Sequence, residues 1–233
     1  MRRLLIVLSV LLVFTRMSSA VTYWTSSFGD VVFSYSNIES SSMKLDPKLR
    51  FTGWLHFAQY KHNDFGQFFG MYTGTSIRNV GLIYEYQDVQ NVDHKVKHRA
   101  YMFGVPVAFK YGNMAESKYG YVGAELEIAF HYKEKHFESS VKKSKDREWF
   151  SSRTNILQPS VFVGWQSGDK WNICAKWYLR DFLNADYKSN RATAMDVSDF
   201  KHSQIFSIAI STHVKSKELK LDKKQNETKF AFR

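Results

Sequence analysis

Residues 99–112, RAYMFGVPVAFKYG, put Tyr101, Phe103, Val105, Val107, Phe109 and Tyr111 on one face of a chain with period two. Ala100, Met102, Gly104, Pro106, Ala108 and Lys110 fall on the other. A period of two is the signature of a β-strand. In a soluble sheet the richer apolar face turns inward and the mixed one meets water. Here the apolar face is aromatic at both ends and branched in the middle, while its reverse carries a proline and a lysine. That order suits a strand whose apolar face looks out to lipid, with tyrosines at the two interfaces.

The alternation recurs in eight segments, roughly 30–36, 50–60, 66–87, 97–111, 119–132, 156–166, 170–182 and 203–214, and none sustains a helical period. The fifth carries Val122, Ala124, Leu126, Ile128, Phe130 and Tyr132 on its apolar face, with Tyr121, Gly123, Glu125, Glu127 and His131 opposite. The seventh sets Trp171, Ile173, Ala175, Trp177 and Leu179 against Asn172, Lys176, Tyr178 and Arg180. Connections alternate between short, turn-like pieces (KHNDF, GNMAESK, QSG) and long ones such as HFESSVKKSKDREWFSSRTN and LNADYKSNRATAMDVSDFKH. Loops sorted by length to the two ends predict an all-β, up-and-down antiparallel transmembrane β-barrel of about eight strands. Segment 66–87 is about twice the 9–11 residues that cross a bilayer. It reads as one strand, bulged at Gly74 or Gly81, because splitting it would break the alternation; ten strands is the alternative count. Pro106 lacks a ladder donor and predicts a bulge beside it.

Residues 1–20 have the form of a secretory signal peptide: Arg2 and Arg3, an apolar run from Leu4 to Phe14, then Ser18 and Ala20 at the cut. Their removal takes Arg2, Arg3 and Arg16 and lowers the net charge from +11 to +8. The barrel then spans 21–214, and the basic tail 215–233 is periplasmic or an extra strand. A mean hydropathy of −0.39 looks soluble, and beyond residue 20 no apolar run is long enough for a transmembrane helix. Cys174 is the only cysteine, so there is no internal disulfide, and it reads as a small interior filler. No nucleic-acid motif accompanies the basic charge.

The run Tyr101-x-x-Gly104-Val105-Pro106-Val107-Ala108-Phe109-Lys110-Tyr111 resembles a strand of the outer-membrane β-barrel domain proteins of Bacteroidetes, relatives in shape of the small OmpA- and OmpX-like barrels. Arg78-Asn79-Val80-Gly81-Leu82-Ile83-Tyr84-Glu85-Tyr86 before it and Tyr119-Gly120-Tyr121-Val122-Gly123-Ala124-Glu125-Leu126 after it extend the similarity over most of residues 28–214. The resemblance implies a fold and an outer-membrane location, and no single activity. Such barrels end on a strand with a terminal aromatic, whereas here about 19 residues follow Val214, with Phe230 and Phe232 near the end.

Eight strands leave an interior that side chains can fill. Glu125, Glu127, Lys176, Arg180 and His131 point into it on this registry and are read as a structural polar network, since buried charges must pair. Tyr101, Phe103, Val105, Val107, Phe109 and Tyr111 are the lipid-facing set. His94, His98, His136 and His202 read as solvated residues of outer loops, and Lys142, Lys143, Lys145 and Arg147 as part of a charged loop with Glu138, Asp146 and Glu148. That loop's positive excess suits lipopolysaccharide phosphates. No cofactor, metal or catalytic residue is assigned. His131 and Ser160 are available to a lipid-modifying enzyme, yet no spacing ties them together. The expected role is structural, or surface binding through long outer loops. The alternatives are a soluble lipocalin-like barrel and a small lipid-modifying enzyme. The expected partners are outer-membrane lipid and lipopolysaccharide, with the barrel-assembly machinery during insertion, and the expected state is a monomer.

Overall fold

The computed structural model describes residues 21–187 and 197–215. The expected signal peptide and the tail after Lys215 lie outside the described residues. Twelve strands form among the described residues: β1 Val21–Phe28, β2 Val31–Ser40, β3 Asp46–Lys48, β4 Arg50–Thr52, β5 Phe57–Asp64, β6 Phe69–Gln87, β7 Asp93–Asn113, β8 Lys118–Glu138, β9 Val141–Trp149, β10 Leu157–Ser167, β11 Trp171–Tyr178 and β12 Phe200–Lys215. Among the described residues the only helix is a single 3-10 turn, Val197–Asp199. The wall is a closed antiparallel meander in the order β1-β5-β6-β7-β8-β10-β11-β12, with β12 returning to β1. β2 continues β1 and β4 precedes β5, so the ring has eight staves. β3 and β9 lie outside it, on β6 and β8.

Two local devices decide which side chains face inward. Between β1 and β2, Gly29 adopts φ +70° and lets the chain take one extra residue. Ser27 and Asp30 therefore both face in, where plain alternation would separate them. In β8 the register against β7 moves from Tyr101↔His131 to Met102↔Ala129, leaving Phe130 as the extra residue. Below that bulge the odd residues of β8, such as Glu125 and Glu127, face in; above it the even ones, Tyr132 and Glu134, do.

The expected bulge beside Pro106 is not there. Pairing of β6 with β7 lapses opposite Pro106 and Val105 and resumes in the same register, Thr73↔Val107 and Ser76↔Gly104. A proline offers no N–H to that ladder, and its free carbonyl accepts a hydrogen bond from Thr73 Oγ1 at 2.8 Å. β6 is a single strand, and its register with β5 and β7 runs unshifted through Gly74 and Gly81, so neither is a bulge. The outer connections are also shorter than expected. β7 and β8 are 21 residues each, and much of the charged stretch 136–155 is the β8–β9 hairpin rather than loop.

The interior is stacked in layers. Toward the tight-turn end lie Tyr60, Tyr72, Tyr119, Tyr121 and Phe162; toward the other end lie Leu82, Tyr84, Met102, Tyr132, Tyr178 and Ile205. A charged layer sits between them. Outside, the apolar face is bare: Val105 is 46% exposed, Phe109 59% and Trp171 62%.

Candidate functional site

Glu125 and Glu127 are fixed by β8, whose ladder with β10 holds both on the inner face. Lys176 enters from β11, one strand further round, and reaches past β10. Its Nζ pairs with Glu125 and stands 3.5 Å from Glu127. Arg78 enters from β6, its Nε 3.7 Å from Glu125 and 3.9 Å from Glu127, and its Nη1 3.4 Å from Asp30. Ser76 donates to Glu125, Ser27 to Asp30, and Arg78 Nη2 to the Tyr60 hydroxyl at 2.9 Å. Two bases thus meet three carboxylates at the middle of the barrel. Mutual pairing and hydroxyl donors meet most of the need of buried charge for partners, while Arg78 Nε and Glu127 Oε1 are left without a hydrogen bond.

Of the expected inner network, Glu125, Glu127 and Lys176 come together. Arg180 does not: it follows the end of β11 and lies exposed. His131 also leaves the interior. The bulge at Phe130 reverses the parity of β8, and His131 packs outside between Tyr101 and Trp149, ring centroids 5.6 and 4.8 Å away. Tyr132, assigned to the lipid face, is buried inside by the same reversal. Arg78 and Asp30 were missed. The parity of β6 puts Arg78 in line with Ser76 and Val80, but nothing in the sequence reveals the extra residue at Gly29.

A second buried group lies toward the tight-turn end, where Lys110 Nζ bonds Asp64 Oδ1 at 2.5 Å and meets Tyr23 and His62 at 3.2 Å. The histidines expected in solvated loops divide. His98 is buried inside, with Nε2 3.2 Å from Tyr84, and His94 is buried with Nδ1 3.0 Å from His136 Nε2. His202 alone of the four is exposed, on β12, with Nδ1 3.9 Å from Asp181. These rings sit on strands, not loops, because β7 and β8 extend beyond the expected ends. Lys142, Lys143, Lys145 and Arg147 likewise belong to β9, a strand.

All six members of the lipid-facing set share the outward side of β7; Phe103 to Tyr111 are exposed, and Tyr101 is half-covered. Aromatic side chains flank the band: Tyr101 and Trp177 toward the loop-rich end, Phe69, Tyr111, Trp165 and Trp171 toward the tight turns. Inside, cavities of about 20 and 30 Å³ flank Arg78 and Lys176. Each holds little more than a water. A groove of about 950 Å³ opens instead at the loop-rich end, bounded by Lys44, Asp46, Glu85, His94, Lys95 and Lys97. Ser160 is buried inside and donates to the Glu125 carbonyl at 3.2 Å, so the barrel wall separates it from His131.

No family model matches the chain, and no curated protein matches it. The resemblance to the Bacteroidetes barrels therefore rests on the residues quoted for it. Among solved structures the chain is similar to Ail, the attachment invasion locus protein of Yersinia pestis. One structure, of Ail in complex with the heparin analogue sucrose octasulfate, aligns with a TM-score of 0.37 at 12% identity, over 83% of this chain and 99% of that one. Another structure of Ail gives 0.35 at the same identity and coverage.

Proposed function

We propose that this chain is an integral outer-membrane β-barrel with a filled interior, acting as a structural or binding protein through the surface it raises above the membrane. The observation that carries the reading is the inversion of the barrel: a charged layer inside and a broad band of exposed apolar side chains outside, broken at β5 by Gln59 and Lys61. Exposed apolar patches on soluble monomers rarely exceed a few hundred Å², and this one spreads over five neighbouring staves, from Phe103 to Tyr111, Val122 to Ile128, Val161 to Trp165, Trp171 to Leu179 and Phe206 to Val214. A barrel in lipid requires that band and aromatic rims. The small internal cavities speak against conduction and against a lipocalin-like ligand chamber. Closure leaves the wall without a free edge, which supports a monomer.

The test is membrane fractionation with heat-modifiable migration on SDS gels. The barrel should partition with the outer membrane and run faster unboiled than boiled. Soluble protein that refolds without detergent would end the reading. Labelling separates the two kinds of barrel directly. In a Cys174→Ser background, Val105→Cys should be shielded by lipid from a bulky water-soluble maleimide, and become reactive when the lipid is stripped. Glu127→Cys should stay unreactive while the barrel is folded. Strong reaction at Glu127→Cys in detergent-free protein would favour the soluble barrel.

A further inference from the structure

The strands above the apolar band sort their charges by face. Pairing of β7, β8 and β9 sets Lys97, Lys135 and Lys145 side by side in one row and Arg99, Lys133 and Arg147 in the next. Directly opposed residues share a face, and this face is the outer one, since Lys97 and Arg99 keep the parity of Phe103 and Val105 on β7. The bulge at Phe130 is what brings Lys133 and Lys135 to the same side. The acids of β8 and β9 turn the other way, Glu134, Asp146 and Glu148 lying 3.3, 3.8 and 4.0 Å from the buried Arg153, and the one acid of β7, Asp93, stands on the outer face at the far end of the strand.

Strands about 4.8 Å apart bring the three cations of a row within about 10 Å. Like charges directly opposed destabilise a sheet. Among the described residues none of the six forms an ion pair with a carboxylate, while Glu85 on the same face is taken by Lys95 at 2.7 Å and Lys48 at 3.2 Å. Partial burial and the charges of Arg99, Lys135, Arg147 and Lys145 lower Lys133 to about 8. Charged residues on β9 could serve only to keep its free edge from pairing with another chain. That reason does not extend to Lys97, Arg99, Lys133 and Lys135, whose strands are paired on both sides.

Directly beneath the lower row is a row of rings, Tyr101, His131 and Trp149, with Trp149 69% exposed. Tyr and Trp mark the interface of a bilayer, and one step of two residues above them, roughly 7 Å, reaches the headgroups. We propose that these six cations form a binding face for the anionic phosphate monoesters of lipid headgroups in the leaflet that surrounds the barrel, and not for the phosphodiester of a zwitterionic lipid. Arg99 and Arg147 can each grip a phosphate with two parallel N–H bonds, and the lysines add point charges between them. The inference rests on the membrane reading above and assigns that reading its lipid partner.

Protein in phosphatidylcholine vesicles would be titrated with lipid A bearing two phosphates, scoring the slowing of heat unfolding on SDS gels. Half-saturation should need about a hundredfold more lipid A for Lys133→Gln/Lys135→Gln/Arg147→Gln, as the loss of three basic groups at an anionic surface implies. A charge-matched control at the opposite end, Lys118→Gln/Lys170→Gln/Lys215→Gln, should behave as wild type. Dephosphorylated lipid A and inorganic phosphate should slow neither protein. Should the triple variant fail to fold, Lys133→Gln alone should still need several-fold more lipid A. Equal responses of wild type and variant, or equal potency of dephosphorylated lipid, would overturn the inference. So would a heparin-type soluble polyanion that slows unfolding in pure phosphatidylcholine while lipid A does not. Failure to enter the vesicles at all would overturn the membrane reading with it; entry without phosphate dependence overturns this inference alone.

Discussion

Replacing Lys176 with leucine would strand Glu125 and Glu127 against Arg78 alone, whose nearest contacts to them are 3.7 and 3.9 Å. Breaking a buried pair in this way costs about 3–5 kcal/mol. The urea midpoint of the folded barrel in detergent should drop accordingly. Adding Glu125→Gln should recover part of the loss, and a double-mutant cycle without coupling would deny the network. Arg180→Leu, at an exposed position, should shift stability by no more than about 0.5 kcal/mol. Gly104 faces the same charged layer. A methyl there would run into the Glu125 carboxylate and stand 2.6 Å from Ser76 Oγ and 2.9 Å from Glu127 Cγ, so Gly104→Ala should destabilise markedly. Lys133 gives a signed pH dependence. Its folded value of about 8 lies below the ordinary lysine value of 10.5, so between those limits the unfolded chain binds more protons. Its penalty is full below about pH 8 and fades as the pH rises toward 10.5. In neutral detergent, wild type should therefore gain stability over that window relative to Lys133→Gln, and parallel profiles would contradict the assignment.

At the scale of elements, the bulge at Phe130 reverses everything above it in β8. Single cysteines test it in the Cys174→Ser background: Lys133→Cys should react with a water-soluble maleimide and Glu134→Cys should be slow. The reverse order would mean unbroken alternation. The bulge also marks how far the sequence could be read. Period two found a segment in each of the eight staves, though not β1, and assigned Glu125, Glu127 and Lys176 to one side, because between irregularities alternation leaves no freedom. One unpaired residue flips the rest of a strand, and no local residue pattern announces Phe130. That is why His131 and Tyr132 were assigned to the wrong faces. The length of the strands was equally hidden. Charge in 136–155 reads as loop by composition, yet alternation of sign, Lys145 and Arg147 against Asp146 and Glu148, is what a two-faced hairpin carries. Pro106 misled for a related reason: a missing donor needs a gap in the ladder, and a gap does not require an extra residue.

For the whole molecule, the seam between the first and last staves sets the order of events. β6, β7 and β8 pair through hairpins whose partners are close in the chain, whereas the ring closes by joining Thr25 to Lys215 and Val31 to Ile210, pairs 190 and 179 residues apart. Loop-closure entropy makes such distant pairings the slow ones. The hairpins can therefore form while the sheet is still open, with two bare edges ready to join a foreign strand. A chain ending at residue 199 should keep those edges and aggregate in place of inserting, a difference visible as lost heat-modifiability. Completion of the ring is thus a clock as much as a contact: until β12 arrives, the nascent sheet is exposed to every other strand in its compartment, and the hazard lasts as long as the wait.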